Sequence, residues 1–251
     1  MFNDLDWSVV FQSPGRDLLL SGLVITLQLS AFGIVLSTVL GTAVALGRVT
    51  TSRVLWPLRS MLTAYVEFVR NVPLVVQLLF WGFGMFSLDW VRSLAEPVNA
   101  LYSNQFLAGL CGLTVYTSSY IAEVLRSGLQ SIPKGQMEAA RASGLGYPSA
   151  MRHVILPQVF STVLPALGNQ YIGLTKNTSV VLFIGAADLV FQAQQIEATT
   201  FRAIEAFTAV IVVFVILCFS EATVLHLIAS RAARLRGSAV VRLKVPALEQ
   251  P

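Results

Sequence analysis

Five ionisable side chains interrupt long apolar runs in this chain: Glu67, Arg70, Glu123, Lys176 and Glu221. An ionised group at the centre of a membrane helix costs roughly 2.5–3.5 kcal/mol, so such residues face a cavity, a partner or one another. Glu67 and Arg70 are spaced to share a helix face. They read either as a gate or as a structural ion pair, and both readings stand. Glu123 precedes Arg126 at the same spacing and is a snorkelling or pairing acid. Lys176, Asn177 and Thr178 form a polar cluster late in an apolar run. An ammonium beside an amide and a hydroxyl can hold a ligand carboxylate, which makes this cluster a candidate substrate pathway. Pairing across a subunit interface is the rival. Thr117, Ser118 and Ser119 suit hydrogen bonds or close packing between helices better than ligand binding. Cys111 and Cys218 each lie in an apolar run, with neither metal-site nor disulfide spacing. No Gly-x-x-x-x-Gly-Lys-Ser/Thr phosphate loop occurs in the sequence.

A second group of residues is polar and lies outside the apolar runs. It reads Ser131-Ile-Pro-Lys-Gly-Gln-Met-Glu-Ala-Ala-Arg-Ala-Ser-Gly-Leu-Gly-Tyr-Pro. Gln136 to Ser143 is rich in helix formers and Gly144 is a natural helix stop, so a short helix is expected between two breaks. Glu138 is expected near its start, where an acid favours the helix dipole. Alanines keep the helix slim and give it little area with which to hold itself down. Such a helix either enters a groove on another protein or lies on the bilayer. Pro157 is expected to start or kink the next span.

The elements that must position these residues are membrane helices. Of 251 residues, 55% are hydrophobic and 12% charged, against about 25% charged in soluble domains. That excludes a soluble enzyme, a disordered chain and a disulfide scaffold. The expected fold is all-α and polytopic, with about five transmembrane helices of about 20 residues or more. They run roughly over residues 18–46, 60–86, 105–125, 154–182 and 203–228. The second and fourth contain prolines and are long enough to bend or break. Leu88, Trp90, Val91 and Leu94 suggest an interfacial helix in the loop after the second span, and Trp81, Trp90 and Tyr102 an outer aromatic belt. His226 reads as an interfacial anchor.

Basic residues orient the chain. Arg48, Arg53 and Arg59 lie after the first span, Arg126, Lys134, Arg141 and Arg152 after the third, and Arg231, Arg234, Arg236, Arg242 and Lys244 after the fifth. Together these are 12 of 17 basic residues. The complementary segments hold Arg16, Arg92 and Arg202 with seven acids, Asp4 among them. The positive-inside rule then places the N-terminus outside and the C-terminus in the cytoplasm. Residues 1–17 become an extracytoplasmic tail without a signal-peptide pattern, 18–230 the membrane domain with the segment 131–157 inside it, and 231–251 a basic cytoplasmic tail. The net charge of +4 is dispersed between apolar runs, which argues against a nucleic-acid partner.

Glu138, Ala139, Ala140, Gly144, Val154, Leu156 and Pro157 resemble the Glu-Ala-Ala motif of ABC importer permeases, with Val154 where Ile is usual. Glu67-Phe-Val-Arg-Asn-Val-Pro-Leu-Val-Val-Gln and Lys176-Asn-Thr-Ser resemble the polar-amino-acid branch: histidine, glutamine, arginine and glutamate permeases. Asp6-Trp7-Ser8 and Gly22-Leu-Val-Ile-Thr-Leu are slightly similar to glutamate/aspartate permeases. The resemblance covers roughly residues 18–230. It implies a non-catalytic inner-membrane subunit that pairs with a second permease, identical or sister, and with two cytoplasmic ABC ATPases. Those ATPases would carry ATP and Mg, and this chain no cofactor or metal. It further implies that Glu138, Ala139, Ala140, Gly144, Leu156 and Pro157 couple to the ATPases, and that an external binding protein delivers the amino acid. An ion-driven secondary transporter and a non-transporting assembly protein are the competing classes. The first lacks support from any inverted repeat, and the second leaves the polar cluster and the short helix unexplained.

Overall fold

The computed structural model describes residues 5–50, 54–99 and 101–241, with side chains as far as residue 231. Asp4, Arg53, Arg242 and Lys244, used in the charge count, lie outside the described residues, as does residue 242 onward of the basic tail. Every regular element among the described residues is helical. In chain order they are α1 (Ser8–Phe11), α2 (Gly15–Val49), α3 (Trp56–Asn71) and α4 (Leu74–Leu79). A π-helical turn, Phe80–Gly84, and a 3-10 turn, Met85–Ser87, extend α4. Then come α5 (Asp89–Asn99), α6 (Asn104–Gln130), α7 (Lys134–Ala142) and α8 (Tyr147–Ala150). A π-helical turn, Met151–Ile155, carries α8 into α9 (Leu156–Asn177), which tightens into a 3-10 stretch, Thr178–Ile184. The chain finishes with α10 (Leu189–Thr200) and α11 (Ala203–Val241).

The longest contact is between α2 and α6. The buried side of α2 is rich in small residues: Gly22, Thr26, Ser30, Gly33, Ser37 and Gly41 recur at helical spacing, with Leu29 and Val44 buried beside them. In hydrocarbon, helix association relies on close packing and interhelical hydrogen bonds, because lipid is as apolar as leucine. Gly41 brings the α2 backbone against α6: a Cβ there would lie 2.7 Å from Ile121 Cγ2 and 2.8 Å from the Ser118 carbonyl oxygen. Side-chain hydrogen bonds tie other pairs. Tyr65 Oη donates to the Val115 carbonyl (3.0 Å), joining α3 to α6, and lies 2.8 Å from Ser118 Oγ. Thr38 Oγ1 donates to Tyr171 Oη (3.0 Å), joining α2 to α9. Thr175 Oγ1 donates to Glu221 Oε1 (2.6 Å), joining α9 to α11. Outward, Val35, Val39, Ile211, Ile216 and Phe219 are exposed, an apolar exterior suited to lipid.

Length and composition mark two helices as able to cross a membrane, Gly15–Val49 and Ala203–Arg231, and up to four spans if each of two bent pairs is one. The expected second span is the sharper of these, bent by 108° between Asn71 and Leu74; the expected fourth span lies within the unbroken stretch Tyr147–Ile184, and the 48° bend falls after it, between Ile184 and Leu189. The expected third span is the 27-residue helix α6, roughly 40 Å long at 1.5 Å per residue. It is not among the helices that length and composition mark as spans, and its Thr117, Ser118 and Ser119 are buried.

Helical structure runs past the expected limits of the membrane domain at both ends: α2 begins at Gly15 and α11 continues to Val241. The loop expected between the fourth and fifth spans contains α10, whose Leu189, Ala193 and Ile196 are buried against α2 and α11. Asp188 caps it by accepting from the Phe191 amide (2.9 Å), and Phe201 ends it in the left-handed region at φ 57°. The expected interfacial helix exists as α5, but its apolar residues divide: Val91 and Ala95 pack inward while Trp90 and Leu94 stay exposed. Of the expected aromatic belt, Trp81 and Tyr102 pack against the core instead.

The α2–α6 approach yields a stability prediction. Gly41→Ala should destabilise the detergent-solubilised chain by about 1–3 kcal/mol, the usual cost of overpacking. Gly173→Ala meets nothing within 4 Å and should leave stability unchanged or raise it by up to ~1 kcal/mol, the helix preference of alanine. Thermal unfolding of the two variants side by side checks this, and equal melting would contradict the packing account.

Candidate functional site

The short helix α7 starts at Lys134, two residues before the sequence placed it, because Pro133 supplies the N-cap. Glu138 is therefore mid-helix and exposed, with no acid in the first turn. Glu138 thus lies too far along α7 for the expected role at the helix start, and its carboxylate is exposed. Gly144 has φ +88°, and the chain closes around it in a Schellman motif. The Gly144 amide donates to the Arg141 carbonyl (3.0 Å) and the Leu145 amide to the Ala140 carbonyl (3.2 Å). Ala140 is buried and Met137 packs on a cluster of Ile121, Ile155, Val159 and Val163. Ala139, Arg141 and Ala142 lie on the exposed side with Glu138. The result is a slim ridge fixed to the bundle along one edge.

Pro157 sits in the first turn of α9 and Leu156 is exposed at its start. The chain before them is already helical, so Pro157 marks a change of winding rather than a start. A proline has no N–H to return to the carbonyl four residues back. The preceding turn is accordingly wider: the Leu156 amide donates to the Met151 carbonyl in an i→i−5 bond. Gln158 Nε2 reaches the Val154 carbonyl (3.0 Å) and Gln136 Oε1 of α7 (3.4 Å). Thus α7, the wide turn and α9 are directly linked.

Glu67 and Arg70 make no ion pair with each other. Arg70 instead places its guanidinium 5.3 Å from the Tyr120 ring centroid, a cation–π contact between α3 and α6. Tyr120 also receives the Tyr116 hydroxyl proton (3.2 Å). Nor do Lys176, Asn177 and Thr178 converge. Lys176 is exposed beside a groove of about 420 Å³ lined by Val210, Phe214 and Cys218 of α11. Thr178 is fully buried and bonded to the Thr175 carbonyl (2.8 Å). Two positions along an α-helix turn a side chain about 200°, which separates these residues.

Two polar arrangements go beyond what local spacing records. Arg48, its side chain only 7% exposed, donates to Glu123 Oε2 (2.9 Å). Arg126 binds the same carboxylate through Nη2 to Oε1 (2.5 Å) and Nε to Oε2 (3.1 Å). The Glu123–Arg126 half was visible in the spacing; the Arg48 half joins two helices and left no local signal. The second arrangement repairs the α3–α4 break. Pro73 cannot bond the Val69 carbonyl, so the buried Gln77 side chain does so (2.8 Å) and also reaches the Val72 carbonyl (3.0 Å). Its signal is a glutamine four residues after a proline in an apolar run. Among the described residues no group of three or more His, Cys, Asp or Glu is placed to hold a metal.

Residues 33–234 match the family described as binding-protein-dependent transport system inner membrane component. The chain is 41% identical over 192 residues to the probable glutamine ABC transporter permease protein GlnM of Bacillus subtilis, covering 76% of this chain and 82% of that one. It is 38% identical over 165 residues to the glutamate transport system permease protein GluC of Corynebacterium efficiens, covering 65% and 71%. Its fold is similar to a solved chain of an amino acid ABC transporter crystallised with histidines, with a TM-score of 0.72, 31% identity, and coverage of 86% of this chain and 94% of that one. The chain belongs to the family of inner-membrane components of binding-protein-dependent transport systems. It is a multi-pass, non-catalytic permease subunit of a bacterial ABC importer, as the Glu-Ala-Ala resemblance implied.

The Arg48–Glu123–Arg126 group yields a test. Breaking a buried pair by removing one partner costs about 3–5 kcal/mol, because it strands the other charge. Glu123→Gln should therefore destabilise strongly, at about 3 kcal/mol. Adding Arg48→Met removes the stranded charge and should recover most of that loss. Denaturant unfolding of the single and double variants in detergent decides it; equal stabilities would show that Arg48 is not dependent on Glu123.

Proposed function

We propose that this chain forms half of the membrane pathway of an importer for a polar amino acid of the glutamine or glutamate kind. The named substrates of the two relatives above support that class. The proposal keeps about five spans: α2, the bent α3–α4 pair, α6, α8 with α9, and α11, with α10 packed at the outer end. The 12 basic residues set on one side in that count support an outside N-terminus and a cytoplasmic C-terminus. Residues 18–230 then form the permease domain, 131–157 its coupling segment and 231–251 a cytoplasmic tail. A second permease subunit, identical or sister, completes the pathway, and an external binding protein hands over the amino acid. Two ABC ATPases bind ATP and Mg. A chain without a phosphate loop takes its energy from such partners.

The observation that carries the coupling role is the exposed ridge of α7, closed at Gly144 and linked by Gln136–Gln158 and Met137 to the start of α9. We place the ridge in a cleft on the ATPase, with Glu138 toward a basic residue there, Ala139 and Ala140 keeping it slim, and Leu156 and Pro157 receiving its displacement. For Lys176 the burial of Thr178 on another side favours the interface role over a shared carboxylate site with Asn177. Arg70 on Tyr120 favours a structural role over a gate with Glu67.

Two experiments test this. In a chain with Cys111→Ala and Cys218→Ala, single cysteines at Ser103 and Ser143 should react with impermeant thiol reagents from opposite sides of the membrane. Reaction of both from one side would overturn the orientation. Gly144→Val forces a branched side chain into the left-handed region at roughly 1–2 kcal/mol, a factor of about 5–30 in population. A Cβ there meets no atom of this chain within 4 Å, so within the chain the cost comes from backbone conformation. Gly144→Val and Glu138→Lys should each reduce uptake at least fivefold and loosen ATPase association, with the permease still inserted. Full uptake and normal association in both variants would remove α7 from the coupling path.

A further inference from the structure

Three arginines from three helices surround one polar cleft of about 490 Å³: Arg48 at the end of α2, Arg59 in α3 and Arg126 near the end of α6, with Thr63 and Gln130 beside them. One carboxylate, Glu123, touches the group, and both its oxygens are already occupied by Arg48 and Arg126. Glu67 acts on Arg126 electrostatically from further away. Arg59 is exposed and has no acid within ion-pair distance among the described residues. Arg48 is more than nine-tenths buried, yet its Nε has no hydrogen-bond partner. Gln130 turns its carbonyl oxygen to Arg126 Nη1 (2.6 Å), which leaves its amide hydrogens as further donors.

The cleft therefore holds more guanidinium than carboxylate, and one of its arginines, Arg48, is more than nine-tenths buried. A planar guanidinium offers paired donors that match phosphate oxygens. We propose that this cleft is a binding site for a phosphate-type oxyanion that joins the ends of α2, α3 and α6. In the orientation proposed above, on which the lipid source rests, it opens at the cytoplasmic leaflet. Basic pockets between helices at that level take anionic lipid head groups; free phosphate shares the same chemistry.

The test uses the purified importer complex with wild-type permease, Arg59→Gln or Arg59→Lys. Arg59 is exposed and unpaired with any described acid, so its replacement leaves the fold intact. Each complex is placed in nanodiscs of phosphatidylcholine alone or of phosphatidylcholine with phosphatidylglycerol. Lipid retention is read by native mass spectrometry and stability by thermal melting with and without inorganic phosphate. Wild type should retain phosphatidylglycerol about fivefold more strongly than Arg59→Gln, the usual worth of one basic contact, with Arg59→Lys between them. A lipid source shows as retention with no response to phosphate; a free-anion source shows as a phosphate-dependent rise in melting in phosphatidylcholine, lost in Arg59→Gln. Identical retention and identical phosphate response in wild type and Arg59→Gln would overturn the site. Because both readouts are made on purified complex, they do not depend on the transport direction or on the labelling result.

Discussion

The close approach of α2 to its neighbours is the constraint on which the other placements depend. A helix in lipid gains nothing from hiding leucine against leucine, so contact depends on how near two backbones can come. Helix α2 meets α10 at Gly22, where a Cβ would lie 2.8 Å from the Asp188 carbonyl oxygen, and α6 at Gly41. Between them, Thr26 Oγ1 accepts from the Leu189 amide (3.1 Å), anchoring the first turn of α10. One helix thus fixes α10 near one end and α6 near the other. The fixed α2–α6 pair in turn brings Arg48 to Glu123, so the cationic cleft follows from small residues two turns away.

The breaks obey the complementary constraint, that backbone groups away from water must find partners. At Pro73 the lost bond is replaced by a side chain, and the chain can turn through 108° because Gln77 holds the free carbonyls. Before Pro157 the solution is different: the helix widens by one residue and stays continuous. The first proline makes a corner and the second makes a wide turn within an unbroken helix. That difference was not readable from two prolines in two apolar runs.

Legibility followed the range of the interaction. The stop at Gly144, the helix before it, the prolines and the Glu123–Arg126 pair are local, and their residue types announce them. The Arg48–Glu123 bridge and the Tyr120 partner of Arg70 depend on which helices are neighbours, which no local spacing records. Helix α10 was hidden for another reason. Asp188, Gln192, Gln194, Gln195 and Glu197 give it the composition of a loop, yet Gln192 is buried and Asp188 is an N-cap. The division of Lys176 from Thr178 was legible, since residues two apart on a helix point different ways; reading three adjacent polar residues as one site passed over that geometry.

These features divide the molecule into a fixed part and a part able to yield. The α2–α6 pair is locked by backbone contact and by the Glu123 group, and distortion there strands a buried charge. Helix α7 meets this core through Met137, packs against α8 and the Met151–Ile155 turn, and touches α9 through the Gln136–Gln158 bond. A push on the α7 ridge therefore meets stiff resistance toward α6. Toward α9 it meets the wide turn Met151–Ile155, where hydrogen bonding is already irregular and one donor is missing at Pro157. Such π-helical turns concentrate at functional positions because they adjust their winding at low cost. Under the docking proposed for α7, motion enters the membrane along α9 while α2 and α6 stay in place, and the Thr175–Glu221 bond carries it on to α11.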